Sequence, residues 1–335
     1  MVSKSLWRVT GASVQGAQHK LSCLPNQDAL GWFPSEGESS TLSVSIADGH
    51  GYPKGVRADV GASLAVQTAL DISVAAWASP SSRHGAETFL SKLTGELPVL
   101  WKERVLADID SSPLERHHLE RLSSIYGDTV LDELDKHPEV IYGTTVMLAV
   151  CTPDYVILAQ LGDGNILTVD GNGIVSSPLQ ADPRLVANHT WSLASPDASS
   201  HFRVALLSIA DKSRTDDPPM QPDLIMMATD GYVNSYINYE GFEQVGTDVF
   251  KLLKNYGIDV LREQLPGWLE YTSEHGSGDD LTAAFVVRIS DDRVVEECGS
   301  NKRGSLDAAY SQIPGSILKR SLVEMPLKTY KANQS

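Results

Sequence analysis

Thr144–Gly171 reads TTVMLAVCTPDYVILAQLGDGNILTVDG. Three apolar, β-branched runs stand in it, Thr144–Cys151, Tyr155–Leu161 and Ile166–Val169, each of strand length and each closed by turn residues. Pro153-Asp154, Asp163-Gly164 and Asp170-Gly171 mark the connections, and such close spacing predicts consecutive antiparallel strands in a meander. Outward from this stretch, Leu6–Ser13, Leu42–Ala47, Leu224–Ala228 and Thr282–Ile289 have the same character. Between the early and middle strands, Val56–Ala78, Ala86–Ile109 and Leu114–Lys136 carry apolar residues at helical spacing, with Ser112-Pro113 as a break. Gly241–Tyr256 and Ile258–Ser273 read as a later helix pair split at Gly257. Strands, helices, strands, helices and a last strand make an α+β order, without the alternation of a βαβ chain. Antiparallel sheets with helices packed outside are the expected result. Pro178–Pro222, rich in Asp, Pro and Ser, predicts an irregular insertion. One domain over residues 1–292 with a polar tail over 293–335 is the simplest parse.

Composition narrows the function. The chain has 335 residues, 41% hydrophobic and 21% charged, enough to bury a core without disulfides. A formal net charge of -16 argues against a nucleic-acid or anionic-membrane surface, where Lys and Arg must neutralise phosphates. It suits solubility, and it suits carboxylates gathered around cations. The three cysteines, Cys23, Cys151 and Cys298, form no metal-binding spacing and are expected as reduced thiols in a cytoplasmic protein. Residues 1–16 lack the apolar stretch of a signal peptide, and Val146–Leu161 is interrupted by Pro153 and Asp154, short of a membrane span. A soluble monomer is expected.

Four acidic spots share one design, an apolar run leading into Asp beside Gly. They are Ile46-Ala47-Asp48-Gly49-His50-Gly51, Leu161-Gly162-Asp163-Gly164, Ala228-Thr229-Asp230-Gly231 and Gly278-Asp279-Asp280-Leu281. A carboxylate at a strand end is held rigidly, and the neighbouring Gly lets a carbonyl or a bound water approach. Mg2+ and Mn2+ take such oxygen ligands, and a pair of them neutralises a phosphoryl group. Taken alone, Asp163-Gly164 reads as a hairpin turn ahead of a metal ligand, and Asp170-Gly171 as a turn only. Asp48-Gly49-His50-Gly51 holds more than a turn requires. There His50 stands open between a proton donor and an ordinary histidine.

In order along the chain, Asn26-Gln27-Asp28-Ala29, Asp48-Gly49-His50-Gly51, Gly143-Thr144-Thr145, Leu161-Gly162-Asp163-Gly164, Ala228-Thr229-Asp230-Gly231 and Asp279-Asp280-Leu281-Thr282 closely resemble the metal-dependent (PPM, type 2C-like) protein phosphatases, in a bacterial branch. The resemblance runs from about Gly11 to Ile289. It implies a sandwich of two antiparallel β-sheets flanked by helices, and hydrolysis of phosphoserine and phosphothreonine in proteins by a water bridging two Mn2+ or Mg2+ ions. Asp48 would bridge both ions and Gly49 would lend its carbonyl. Asp230 and Asp279 would complete one shell, Asp28 would sit beside the second ion, and Asp163 would serve a third, weaker one. His50 would protonate the leaving oxygen. The partners implied are a phosphoprotein substrate and a cognate Ser/Thr kinase.

The chain also departs from the family. Cys23 stands where an Arg usually grips the phosphate, leaving His19 or Lys20 as the candidate replacements. Gln27 replaces a common Glu, Asp280 a common Asn, and Gly164-Asn165 a common Ser-Arg. The missing Arg keeps a non-catalytic, phosphoprotein-binding relative in view, and a hydrolase of small phosphoesters is the second alternative.

Overall fold

The computed structural model describes residues 6–50, 56–76, 82–127, 129–184, 190–209 and 221–289. Two antiparallel sheets lie face to face in it. One contains β1 (Leu6–Val14), β3 (Glu38–Ser39), β7 (Asn165–Asp170), β8 (Val175–Ser176), β10 (Pro222–Ala228) and β11 (Leu281–Ile289), in the order β3-β1-β11-β10-β7-β8. The other contains β2 (Asp28–Phe33), β4 (Leu42–Asp48), β5 (Val146–Cys151), β6 (Tyr155–Leu161) and β9 (Arg203–Ser208), in the order β2-β4-β5-β6-β9. The helices are α1 (Ala17–Ser22), α2 (Ala58–Ala76), α3 (Arg83–Ser111), α4 (Arg116–Tyr126), α5 (Thr129–Lys136), α6 (Asp230–Val233), α7 (Tyr239–Tyr256) and α8 (Ile258–His275).

Side chains alternate across each strand, and both faces are buried. Met147, Ala149 and Cys151 of β5 meet Ile225 and Met227 of β10 in the core between the sheets. Val146, Leu148 and Val150 turn the other way, against Ala62, Ala65 and Ala69 of α2 and Leu93, Leu97 and Trp101 of α3. Leu224, Met226 and Ala228 of β10 pack outward on Phe242 and Val249 of α7 and on Leu261 and Leu265 of α8. The result is four layers, helix–sheet–sheet–helix. Double burial explains why these strands read as unbroken apolar runs instead of alternating ones.

The expected meander is corrected at its third strand. β5 and β6 pair as foreseen, but β7 pairs with β10 in the opposite sheet. Gly162-Asp163-Gly164 is therefore a crossover between sheets. Gly162 sits at φ 105, where a side chain would be strained, and this redirects the chain. Asp170 does close a tight turn, its Oδ1 accepting from the Asn172 and Ile174 amides at 2.9 Å each. The expected helix over Leu114–Lys136 is two helices, α4 and α5, parted at Gly127 with φ 76. Within Pro178–Pro222, β9 forms a regular edge strand, so the insertion is only partly irregular. Residues 293–335, the expected tail, lie outside the described residues.

Helix α2 packs against the 3-10 turn Pro138–Tyr142 by way of Gly61. A Cβ there would lie 1.9 Å from the Tyr142 carbonyl oxygen, and the Gly61 carbonyl accepts from Trp101 Nε1 at 3.0 Å. Gly61→Ala is therefore expected to destabilise the protein by about 2–3 kcal/mol, as overpacking of a closed core does. Urea unfolding with an unchanged m-value checks it.

Candidate metal centre

Antiparallel pairing sets the first two carboxylates side by side. Asp28 opens β2 and Asp48 closes β4, and they are register partners. Asp163 arrives in the crossover after β6, and Asp230 from the end of β10, where it begins α6. Asp48, Asp163 and Asp230 each bring a carboxylate oxygen within 4.8 Å of the others. Three sequence-distant aspartates thus converge where the two sheets meet.

Backbone and hydroxyl groups hold Asp48 in place. Its amide donates to Thr145 Oγ1 at 3.0 Å, and its carbonyl accepts from the Thr145 amide at 2.9 Å and Thr144 Oγ1 at 3.0 Å. Gly49 is packed so closely that a Cβ would lie 2.4 Å from the Ala58 carbonyl oxygen, so only glycine fits there. Asp28 Oδ2 accepts from Thr229 Oγ1 at 2.8 Å, which ties it to the residue preceding Asp230. Thr144 is held in turn by the segment after residue 190, its amide donating to Ser192 Oγ at 3.1 Å.

Electrostatically the cluster is strained. Burial pushes Asp48 well above the usual carboxylate range, and the charges of Asp230, Asp28 and Asp163 push it further. Burial likewise raises Asp28, with Asp280 and Asp230 adding to the shift. Asp230 is pushed up to about 6, again by burial first and by Asp163 and Asp279 after it. Asp163 Oδ1 is buried and has no hydrogen-bond partner. An orphaned carboxylate oxygen facing two like-charged neighbours is a donor set that a hard divalent cation satisfies. The residues fit such ions.

Asp279 lies beside this triad and outside it. A Cβ on Gly231 would approach the Asp279 Cβ to 3.2 Å, which places Asp279 next to Asp230. Its carboxylate, however, belongs to a second group with His19 and Asp280. His19 Nδ1 lies 2.7 Å from Asp280 Oδ2, and His19 Nε2 lies 3.6 Å from Asp279 Oδ1. The bond to Asp280 is the main reason the His19 pKa is raised. Both ring nitrogens of this expected phosphate ligand face carboxylates. Lys20 is exposed on α1, and Cys23 is exposed at the left-handed C-cap of that helix with φ 55.

His50 stands two residues past Asp48, its amide donating to the Gly143 carbonyl at 2.8 Å and its Nδ1 3.3 Å from the Asp48 carbonyl. Burial lowers its pKa, with the Asp48 carbonyl opposing the shift. Sequence reasoning passed over Arg203, whose Nη2 donates to the Gly162 carbonyl at 2.8 Å, one residue before Asp163. It also passed over Thr229, although a hydroxyl residue directly before a candidate ligand was the visible signal. Cys151 is buried between the sheets, and burial pushes its thiol far up. That thiol is no nucleophile.

Solved structures share the architecture. A mutant bacterial serine phosphatase superposes with a TM-score of 0.52 at 14% identity, covering 84% of this chain and 98% of that one. PppA, a key regulatory component of T6SS in Pseudomonas aeruginosa, does so with a TM-score of 0.51 at 18% identity, covering 85% of this chain and 100% of that one. At these identities the likeness is one of fold. No curated protein sequence matches the chain. The family model described as Protein phosphatase 2C matches residues 15–270, a stretch from just before α1 into α8 that holds Asp28, Asp48, Asp163 and Asp230. The chain belongs to the protein phosphatase 2C family.

Proposed function

We propose that this protein is a metal-dependent phosphatase acting on phosphoserine and phosphothreonine in proteins, with Mn2+ or Mg2+ as its ions. One observation carries the reading: Asp48, Asp163 and Asp230 meet within 4.8 Å in a chain of the protein phosphatase 2C family. Asp48 and Asp230 would hold the principal ions, with Asp28 and Asp279 flanking them, Gly49 offering its carbonyl and Asp163 serving a further ion. When bound, such ions lower the pKa of a coordinated water and neutralise charge on the phosphoryl group.

The chain's own groups do the rest. Thr144 and Thr145 fix the Asp48 backbone, so its carboxylate need not reorganise during turnover. His50 gives a proton to the departing alkoxide. Burial makes its imidazolium a stronger acid, while an arriving phosphate dianion favours the charged form. Water attacks directly in this reading, with no phosphoenzyme. The substrates would be phosphoproteins made by a Ser/Thr kinase, encountered in the cytoplasm. Among the described residues no helix is long and apolar enough to cross a membrane.

Phosphate release from phosphoserine, phosphothreonine and phosphotyrosine peptides, with manganese or with chelator, tests this. Manganese-dependent release from the first two is expected, at least ~10-fold above phosphotyrosine, a difference of about 1.4 kcal/mol in barrier. Activity that resists chelation would sink the metal reading, and inertness toward every peptide would sink the phosphatase reading.

A further inference from the structure

We propose that Asp280 is a positioning residue for the metal centre, a buried carboxylate that sets the strand start carrying Asp28 and, through it, Gly49 at the end of β4. The inference rests on the proposed function above. Three donors converge on the two oxygens of this one side chain, which is only 4% exposed. Oδ1 accepts from the Gly16 amide at 2.6 Å. Oδ2 accepts from the Gln27 amide at 2.6 Å and from His19 Nδ1 at 2.7 Å. All three are short for N–H···O hydrogen bonds.

The bonds lead straight to the candidate ligands. Gln27 precedes Asp28, and the Gln27 carbonyl accepts from the Gly49 amide at 3.0 Å. The path Asp280–Gln27–Gly49 therefore joins the loop before β11 to the start of β2 and the end of β4. In the other direction, the Asp280 amide donates to Asp279 Oδ1 at 2.9 Å, orienting that carboxylate as well. Asp280 itself stands outside the Asp48–Asp163–Asp230 triad.

Chemistry decides between Asp and Asn at this position. An ionised carboxylate only accepts, whereas an amide offers one accepting oxygen and one NH2 group. With Asn at 280, the NH2 would face either the Gly16 amide or the Gln27 amide and His19. One donor-on-donor contact is unavoidable in a site that is closed to solvent. Asp280 and His19 are thus a matched pair.

The test measures Mn2+ binding calorimetrically without substrate, beside kcat, KM and the melting temperature of the metal-free protein. Wild type is compared with Asp280→Asn, His19→Ala and the double variant. Asp280→Asn is expected to weaken Mn2+ binding by about 10–100-fold, the usual effect of losing a partner that orients ligands. Its kcat should fall while KM for a phosphothreonine peptide changes by less than about 3-fold, because the lost contact orients metal ligands and leaves uniform substrate binding alone. His19→Ala should lose less, and the double variant no more than Asp280→Asn, because both act through one group. A purely structural Asp280 would lower the melting temperature and leave Mn2+ affinity unchanged well below it, which would overturn the proposal. Should Asp280→Asn fail to fold, His19→Ala decides, and wild-type Mn2+ affinity in that variant overturns the inference. Absence of Mn2+ binding by wild type would overturn the reading of the centre itself.

Discussion

Asp230→Asn is expected to lower manganese-dependent kcat/KM by roughly 10³-fold, and Asp48→Asn by at least as much. The ions these carboxylates hold supply several kcal/mol of charge stabilisation in the transition state. About 4 kcal/mol corresponds to that factor in rate. Stability should move the other way. In the metal-free protein the charge of Asp230 raises the cost of charging Asp48, and the charge of Asp163 raises it for both. A neutral amide removes that repulsion, so the melting temperature of either variant in chelator should rise above that of wild type. Loss of activity together with loss of stability would instead mark the aspartates as supports of the fold. Peptide turnover and a thermal scan on the same preparations separate the two cases.

Metal-free wild type should lose stability as pH rises from about 4 to about 6. Asp230 titrates at about 6 in the fold, well above its unfolded value. The native state therefore binds this proton more tightly than the unfolded chain does. Its contribution is fully present below the unfolded pKa and is lost as pH climbs through the folded one. A rise of about two units at ~1.4 kcal/mol each makes Asp230 alone worth roughly 3 kcal/mol of this loss. Asp28 and Asp48, both raised by burial, add to it in the same direction. Manganese should reverse the trend. Ions bind the deprotonated carboxylates, so at pH 7.5 a concentration 100 times Kd should return about 2.7 kcal/mol, and at pH 5 much less. Melting curves at both pH values, with chelator and with manganese, check the crossing. Parallel curves would mean that these groups titrate as ordinary surface carboxylates.

Much of this arrangement was legible along the chain. β4, β5, β6 and β10 are buried on both faces, so their apolar runs stand out; β4, β6 and β10 are closed or followed by polar residues of the site, and β5 is preceded by them. The edge strands were harder to see. β2 begins with Asp28 and carries Gly31, and β9 lies in a Pro- and Asp-rich neighbourhood, so neither run is long enough to declare itself. The meander failed at Asp163 because Asp-Gly chemistry says that a chain turns and does not say which sheet receives it next. Asp48 alone held more than a turn requires, whereas Asp163 read by itself as a turn, and the crossover is what brings it beside Asp48 and Asp230. The acidic doublet Asp279-Asp280 shows the same limit. Two identical neighbours point to different tasks, and only the tertiary approach of Gly16, His19 and Gln27 tells them apart.

The crossover at Gly162–Gly164 has a consequence for how the enzyme comes into being. Asp48 is rooted in one sheet, Asp230 in the other, and Asp163 in the strip of chain that passes between them. Neither half of the sandwich owns the centre, so competence during refolding must await the seating of one half upon the other. Cations bound there would act as a clasp across the seam, slowing the parting of the halves.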